Sequence, residues 1–519
     1  MAAKKYTEAD HKEDVKVLHG MGYAQELSRG MSKFSNFAIS FSIICILSGG
    51  INSFAQATSS VGGAGAGIGW IVGCGVSAVF AIAMAQIASA YPTAGGLYHW
   101  GSILGNRFTG WVTAWLNLLG LITVMGAINI GTAFFFQGTF GSYVGMTTDP
   151  SHIVIFVGII TALQALINHL GIKLTALLTD WSGYIIFGTT IALIIALLAY
   201  APTHEWSRLW TFTNYSGDAG GGVWPQSDSL LYLFALSLLL PIYTITGYDA
   251  SAHTSEETYR AAQSVPRGIV DSVLWSALFG WAMVCAIVIA IPDLAEGAKQ
   301  GWSVFFNTMA AIMPNWLVQL LYLFIFIAQF LCGLATVTSA SRMIYAFSRD
   351  GGLPLISEWV SKVSPKFRTP VAAIWTGAVL EFLYVWMAQT FSIGGTNIYT
   401  IVVNSTLIFL FLSFTVPIAL GFFAIGTAKW PKMGPWDIGI PLYRLFAVLS
   451  VLCMALIIYI AVQPPNDKVL WITLVFLVLT AIIWVAFENK RFQGPPMGEM
   501  IKKRQAAILA AEKAVGEVS

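Results

Sequence analysis

The chain has 519 residues, of which 56% are hydrophobic and only 10% are charged, and its mean hydropathy is +0.72. Because such a chain cannot present a charged surface to water on all sides, the composition excludes an ordinary soluble globule and predicts an integral membrane protein. The formal net charge of +2 is uninformative about partners. The five cysteines, which form no CxxC pair, indicate neither a disulfide frame nor a metal site.

Twelve apolar segments are long enough to cross a bilayer, which requires about 17–25 residues of helix. They lie near residues 34–57, 67–91, 108–137, 152–168, 177–200, 228–253, 270–291, 315–347, 371–388, 398–423, 441–462 and 468–487. The external loops are short apart from 201–227 and 292–314, so the sequence leaves no room for a soluble catalytic domain. We therefore expect an all-α protein that acts within the bilayer.

The basic residues fix the expected orientation of these spans. If the N-terminus is cytoplasmic, all but three of the 27 Lys and Arg residues lie inside, which satisfies the positive-inside rule. We therefore expect a multi-pass protein of a plasma or inner membrane with both termini in the cytoplasm and no cleavable signal peptide. Residues 1–33 and 488–519 are the predicted tails, the second with a short solvated or membrane-skimming helix from Glu499 to Val518.

Small and polar residues interrupt two of the apolar segments, at Ser48–Gly50 in the first and at Thr246–Asp249 in the sixth. A broken helix frees backbone N–H and C=O groups that lipid cannot bind, whereas a substrate or an ion can. Matched breaks in two halves of a chain are typical of the binding sites of secondary transporters. The glycines by themselves are also typical of close helix packing.

Five spans separate the two breaks, and an odd number of spans inverts the second unit in the membrane. The spacing therefore predicts a five-plus-five inverted repeat formed by residues 34–200 and 228–423. Two further spans follow within 441–487.

Few ionisable residues lie inside the spans, where a charge costs at least ~2.5–3.5 kcal/mol. Asp249 directly follows the sixth-segment break, so its carboxylate is a candidate to cap freed N–H groups or to meet a cationic substrate group. Glu381, inside the ninth segment, has no obvious partner in the sequence. The remaining acidic and basic residues can simply pair across helices near the cytoplasmic face: Asp180, Glu256, Glu257 and Arg342.

Four motifs occur in order along the chain: YPTAGGLY at 91–98, TGYDASAH with SEET within 246–258, VPRGI at 265–269, and SR with AFSRDGGLP within 341–354. With the twelve spans, they make the chain resemble the amino acid–polyamine–organocation permeases, in the amino acid/choline transporter branch that includes GABA permeases and choline and ethanolamine carriers. The resemblance covers nearly the whole chain. It implies a LeuT-like fold in which discontinuous helices 1 and 6 face each other at the centre of the inverted repeat.

The resemblance also implies a substrate site between the two breaks. Backbone N–H groups at the first break would hold a substrate carboxylate, since a half-helix N-terminus carries partial positive charge, and freed carbonyls would accept the substrate amine. The carboxylate cradle comprises Ser48, Gly49, Gly50 and Ile51, and the amine site comprises Ile46, Tyr243 and Thr246. Gly247 and Asp249, at the second break, are the remaining candidate substrate-binding residues besides Tyr248. Tyr248 would either close over the substrate or pack within the sixth segment.

The sequence leaves ion coupling open. Sodium would suit hydroxyl oxygens of the eighth segment, such as those of Thr336 and Ser339, although these hydroxyls also hydrogen-bond within membrane helices. A proton would suit Asp249, Glu256 or His253, whose imidazole titrates near neutral pH but is equally an ordinary hydrogen-bonding group. Exchange without an ion is the third alternative. We expect no cofactor beyond a coupling proton or sodium ion.

These observations predict a secondary active transporter, not an enzyme, that moves a small amino acid such as GABA by alternating access. The alternatives are a choline, ethanolamine or polyamine permease and a non-transporting nutrient receptor of the same fold. The expected partners are a small amino acid or amine and the lipid bilayer, with no nucleic acid, and homo-oligomers remain an option. The glycine run at 62–69 lacks the Gly-Lys-Ser/Thr of a P-loop, and no HExxH or Cys/His cluster suggests catalysis.

Overall fold

A computed structural model describes residues 6–391, 398–430 and 433–517, with the backbone alone described for 398–402. Helices account for 77% of the chain, and the described residues contain no strand beyond one isolated bridge between Met31 and Thr258. Of the predicted tails, residues 1–5 and 518–519 lie outside the described ranges, so Val518 of the predicted C-terminal helix is not placed.

The described helices follow one another with few long connections. They are α1 Glu8–Gly20, α2 Lys33–Ile44, α3 Ile46–Asn52, α4 Ala55–Val61, α5 Gly63–Ala90, α6 Leu97–Leu104, α7 Arg107–Val144, α8 Pro150–His169, α9 Ile172–Tyr200, α10 Leu230–Ser237, α11 Leu239–Thr244, α12 Ala250–His253, α13 Ala261–Ala290, α14 Leu294–Lys299, α15 Val304–Ile312, α16 Asn315–Arg349, α17 Ser357–Val360, α18 Val371–Thr390, α19 Ile398–Ala424, α20 Ile440–Ala461, α21 Lys468–Ile483, α22 Asn489–Arg491 and α23 Glu499–Ala514. Short 3₁₀ turns and one π turn, Trp484–Glu488, complete the helical set.

The predicted all-α membrane fold is confirmed. Within the described ranges, eleven helices are long and apolar enough to cross a membrane. The remaining predicted span, 228–253, is discontinuous: its apolar part ends at Thr244 and a separate short helix begins at Ala250. A helix of continuous geometry cannot pass through this segment, because Gly247 adopts φ +87°.

The first break lies earlier than the sequence suggested. The backbone deviates at Cys45, with φ +28° and ψ +80°, whereas Ser48–Gly50 is helical within α3. A Cβ atom on Gly49 would lie 2.9 Å from Thr244 Cα, so the glycine allows α3 and α11 to touch rather than reversing the chain. The prediction that helix 1 is discontinuous is right, but the predicted position of its break is wrong by about one turn.

The two broken helices lie in the middle of the bundle. α3 contacts α7, α11, α13 and α16, and α12 contacts α2, α13 and α16. The long pairs α5 with α13 and α7 with α19 pack on either side of them. This arrangement puts α2, α3 and α12 against the long helix α16, and α3 also against α7.

The two tails meet at the end of the bundle that we expect to be cytoplasmic. Glu512 of α23 is 1% exposed and lies 2.6 Å from His19 Nε2, and it also accepts a hydrogen bond from the backbone N–H of Gln25 at 2.8 Å. Glu517 pairs with His11 and Arg368. Most of α23 is exposed, as a solvated helix would be, and of its residues only Ile508 and Glu512 are buried. The contacts of Glu512 dock its last turn against α1 and the segment after it.

Candidate functional site

A small cavity lies where the two broken helices face each other. Its free volume is only about 10 Å³, which is room for about one water molecule. No lining side chain is more than 5% exposed, so the cavity is closed in this conformation. The lining residues come from α2, α3, α7, α11, the sixth-span break and α16: Ile43, Ile44, Ser48, Gly49, Val124, Ile128, Tyr243, Thr244, Thr246 and Cys332.

Four of the ten substrate-site residues that we predicted line this cavity, namely Ser48, Gly49, Tyr243 and Thr246. The other six do not. Gly50 faces Met283, whose Cε would lie 2.8 Å from an added Cβ. The other five residues, buried beside the cavity, are Ile46, Ile51, Gly247, Tyr248 and Asp249.

Six lining residues were not predicted. One of them, Thr244, ends α11 just before the break in the sixth span. Ile43 and Ile44 precede the true break at Cys45, so the misplaced break explains their omission. Val124, Ile128 and Cys332 lie within continuous helices and differ in no local way from the residues that surround them in the sequence. Only the packing of α7 and α16 against the breaks brings them to the cavity.

Backbone groups at the first break are partly paired within the chain. The N–H groups of Ser48 and Gly49 donate to the Cys45 carbonyl at 2.7 and 3.2 Å. The first N–H groups of a helix have no intrahelical acceptor, and in α3 these belong to Ile46 and Leu47. The donors offered to an anion are thus centred at the start of α3, a few residues before the predicted cradle.

Side chains also donate hydrogen bonds to several of the freed carbonyl groups. Thr246 Oγ1 donates to the Tyr243 carbonyl at 2.8 Å, and Ser77 Oγ donates to the Ile245 carbonyl at 3.0 Å. On the facing helix, Cys332 Sγ donates to the Ile43 carbonyl at 3.3 Å. The freed carbonyls at and beside the cavity are thus already bound by hydroxyl and thiol groups, which a solute amine would have to displace.

Asp249 lies in a separate buried network. Its Oδ2 accepts a hydrogen bond from Asn117 Nδ2 at 3.1 Å and lies 3.3 Å from His253 Nε2. His253 Nδ1 lies 3.0 Å from the Ala94 carbonyl. Although Asp249 occupies the N-cap position of α12, its side chain makes no capping bond, so the predicted capping role is wrong. The network ties the second half of helix 6 to α7 and to the 91–98 motif.

Tyr248 packs away from the cavity. Its ring lies 5.3 Å from that of Phe414 on α19, and its buried hydroxyl has no hydrogen-bond partner among the described residues. Of the two roles considered from the sequence, packing is the one that this conformation displays.

Ion pairs close the end of the site nearest the tails. Arg342 binds Glu257 through two hydrogen bonds of 2.8 and 2.9 Å, with both side chains fully buried. Arg349 binds Glu256 in the same way at 2.8 and 3.0 Å. The alternative that these acidic and basic residues pair across helices is the one observed, and both pairs tie the end of helix 6 to the end of α16.

The predicted coupling hydroxyls do not converge on a cation site. Thr336 Oγ1 donates to the Cys332 carbonyl of its own helix at 2.9 Å, and the buried Ser339 hydroxyl has no partner among the described residues. Over the same ranges, no group of three or more His, Cys, Asp or Glu side chains could hold a metal ion.

Comparison with known proteins adds a family-level match. A family model described as amino acid permease matches residues 31–487. The chain is 34% identical to Amino-acid permease BAT1 of Arabidopsis thaliana over 78% of this chain and 80% of the relative. It is 27% identical to Amino-acid permease 2 of Neurospora crassa over 92% of this chain and 88% of the relative. It is 26% identical to a protein of Candida albicans named as a polyamine transporter, over 93% and 89%.

Proposed function

Since this chain belongs to the amino acid permease family, we propose that it moves GABA or a related small ω-amino acid across a cell membrane by alternating access. The observation that carries the proposal is the buried cavity between the two helix breaks, which four of the predicted site residues line. In this closed conformation the free space holds about one water molecule, so the half-helices must move apart for a substrate to enter. N–H groups at the start of α3 lie beside the cavity, and carbonyl and hydroxyl groups line it. A substrate with one carboxylate and one amine could bind both.

Alternating access requires that the closed cavity open to one face at a time. In the conformation described, buried ion pairs join helix 6 to α16 on the side of the tails. The non-helical backbone at Cys45 and at Ile245–Asp249 supplies two places where half-helices can turn without breaking a hydrogen-bond ladder. We propose that the units 34–200 and 228–423 act as the two inverted repeats of this cycle, and that both termini are cytoplasmic.

An amine substrate such as choline, ethanolamine or a polyamine is the second candidate. The name of the Candida albicans relative and the buried Asp249 favour it. Against it, none of the ten residues that line the cavity carries a negative charge, and Asp249 already faces His253 and Asn117. A polycation would need carboxylates at the cavity, so an amino acid is the better match. A receptor of the same fold would bind the same solutes as a transporter, and only a measurement of flux distinguishes the two.

The experiment that tests the proposal is uptake of labelled GABA into proteoliposomes, in parallel with choline, a polyamine and a panel of amino acids. Uptake of each compound is measured under a proton gradient, a sodium gradient or neither. Light scattering of the purified protein tests separately whether it forms a homo-oligomer. Saturable uptake of GABA or another amino acid would support the proposal, and uptake of choline alone would refute it. If the protein binds compounds of the panel but transports none of them, it is a receptor.

Two glycine variants give that assay its controls. Gly49→Ala would place a methyl group 2.9 Å from Thr244 Cα, where no side-chain movement can relieve the contact, so uptake should be lost. Gly75→Ala adds a methyl group on an exposed face of α5 with nothing within 4 Å, so uptake should be unchanged. Equal uptake by the two variants would show that the contact between α3 and α11 is not part of the site.

A further inference from the structure

A buried carboxylic acid lies behind the cavity, in a cluster that the transport site does not use. Glu381, at the middle of α18, is fully buried, and its Oε1 accepts a hydrogen bond of 2.9 Å from Asn129 Nδ2 on α7. Asn129 also bonds Gln164 Oε1 at 3.0 Å and Thr161 Oγ1 at 3.1 Å, both on α8. We call Asn129, Thr161, Gln164 and Glu381 the acid cluster.

Among the residues that the structure describes, no cation compensates Glu381. The helices that pack against α18, α7, α8 and α16 among them, present only neutral groups to it, and Tyr384 is the nearest titratable group on its own helix. The charged or ionisable groups on those helices and on the adjacent α17 lie near helix ends or are paired elsewhere: Arg107, His152, His169, Arg342, Arg349 and Glu358.

The second carboxyl oxygen of Glu381 has no hydrogen-bond partner in the described part of the chain. A carboxylate with no counter-ion, beside only the neutral side chains of Asn129 and Thr161, is strongly disfavoured inside a bilayer, whereas the protonated acid needs no counter-ion. The conformation described is therefore one in which Glu381 holds a proton.

The acid cluster touches the walls of the cavity from behind. Asn129 directly follows Ile128, which lines the cavity on α7. Gln164 Nε2 donates to the Phe330 carbonyl at 3.0 Å, two residues before Cys332, which lines the cavity on α16. At Gly333 a Cβ would lie 2.2 Å from Gln164 Nε2, so the close approach of these amides to α16 requires a glycine there.

We propose that Glu381 is the proton-binding site that couples this transporter to a proton gradient. With the proton bound, the cluster and the cavity adopt the closed arrangement described. Loss of the proton leaves a carboxylate that must recruit further donors, and the only ones within the cluster are the amides and the hydroxyl attached to α7 and α8. Their movement shifts the two cavity walls formed by α7 and α16. The coupling part of this inference rests on the proposed transport function; the protonation of Glu381 does not.

The first test compares wild type with Glu381→Gln, which keeps the neutral shape of the acid but cannot release a proton. In proteoliposomes with an entrapped pH dye, wild type should take up labelled GABA together with protons and accumulate it under an inward proton gradient. Glu381→Gln should lose accumulation and proton uptake completely and retain GABA exchange between equal pools. Glu381→Asp, which still titrates, should keep gradient-driven uptake with a shifted pH profile. Glu358→Gln makes the same chemical change at an exposed site and should match wild type.

The second test does not depend on transport. The infrared C=O stretch of a protonated carboxylic acid, taken as the difference between wild type and Glu381→Gln, should be present near neutral pH and should disappear reversibly in alkali. Absence of that band, or a band unchanged over the whole range of pH at which the protein stays folded, would overturn protonation at Glu381. Gradient-driven accumulation by Glu381→Gln equal to that of wild type, or GABA uptake by wild type without protons, would overturn the coupling alone. If neither GABA nor any amino acid of the panel is transported, the proposed function fails and the infrared titration still decides the protonation.

Discussion

The break in the sixth span depends on a single residue, and one methyl group tests it. Gly247 has φ +87°, a backbone conformation that costs an L-residue about 1–2 kcal/mol. A Cβ there would lie 2.2 Å from Cγ2 and 3.1 Å from Cβ of Ile43, and such overpacking typically costs about 1–3 kcal/mol. Gly247→Ala should therefore destabilise the folded protein by about 2–5 kcal/mol, and it should also displace Ile43, which lines the cavity.

Thermal unfolding of purified protein, followed by tryptophan fluorescence, measures the loss of stability. Uptake of labelled substrate, normalised to the amount of protein in the membrane, measures the loss of function. Gly75→Ala is the matched control, because its methyl group meets nothing within 4 Å and alanine is favoured over glycine in a helix interior by up to about 1 kcal/mol. Gly247→Ala should lose both stability and uptake, whereas the control should lose neither.

A second background separates the two sources of the cost. Ile43→Ala removes the Cγ2 atom that the new methyl group would strike, but it leaves the positive φ of Gly247 unchanged. In that background the cost of Gly247→Ala should fall to about 1–2 kcal/mol, the conformational part alone. If Gly247→Ala is as stable and active as Gly75→Ala, the backbone argument is refuted; if its cost is the same in both backgrounds, the contact with Ile43 is not its cause.

Three further predictions concern the contacts around the tails. Arg342→Met or Glu257→Gln alone should lower the free energy of unfolding by about 3–5 kcal/mol, because each leaves one member of a fully buried ion pair without its partner. In a double-mutant cycle measured by thermal unfolding, the double variant should lose less stability than the two single variants added together. Deletion of residues 499–519 should make α1 and the segment after it sensitive to limited proteolysis, since it removes the buried carboxylate that holds them; unchanged cleavage would contradict the docking. The hydrogen bond from Arg260 holds the pKa of Asp10 well below its ordinary value of about 3.9. The stabilisation that this contact gives the folded protein is therefore fully present above about pH 3.9 and is lost only as the pH falls through the lowered pKa. The protection of the α1 amides against hydrogen exchange should accordingly stay constant between pH 5 and 8 in wild type. In Asp10→Asn at pH 7 that protection should be lower, so the amides should exchange faster.

The sequence predicted the membrane class, the approximate bounds of the spans and the discontinuity of helix 6, because hydropathy and glycine content are local properties. Gly247 is an example: a single glycine within polar neighbours sufficed to place the break that the structure has. At the first break the same argument failed. Ser48–Gly50 looks locally like an interruption, but its small residues serve the contact with α11, and the deviation falls at Cys45, which carries no local signal.

The sequence allowed for ion pairs among Glu256, Glu257 and Arg342, but it did not predict the partners of the buried Asp249 and Glu381. Asn117 lies 132 residues from Asp249 and Asn129 lies 252 residues from Glu381, so no pattern within one segment contains either pair. The C-terminal helix is a similar case, since the partners of Glu512 are 487 and 493 residues away. The sequence by itself determined which segments enter the bilayer, because each residue's transfer free energy depends on that residue and its near neighbours. The tertiary structure alone decided which polar groups meet there, because a buried group must find a partner wherever the packing of distant helices supplies one.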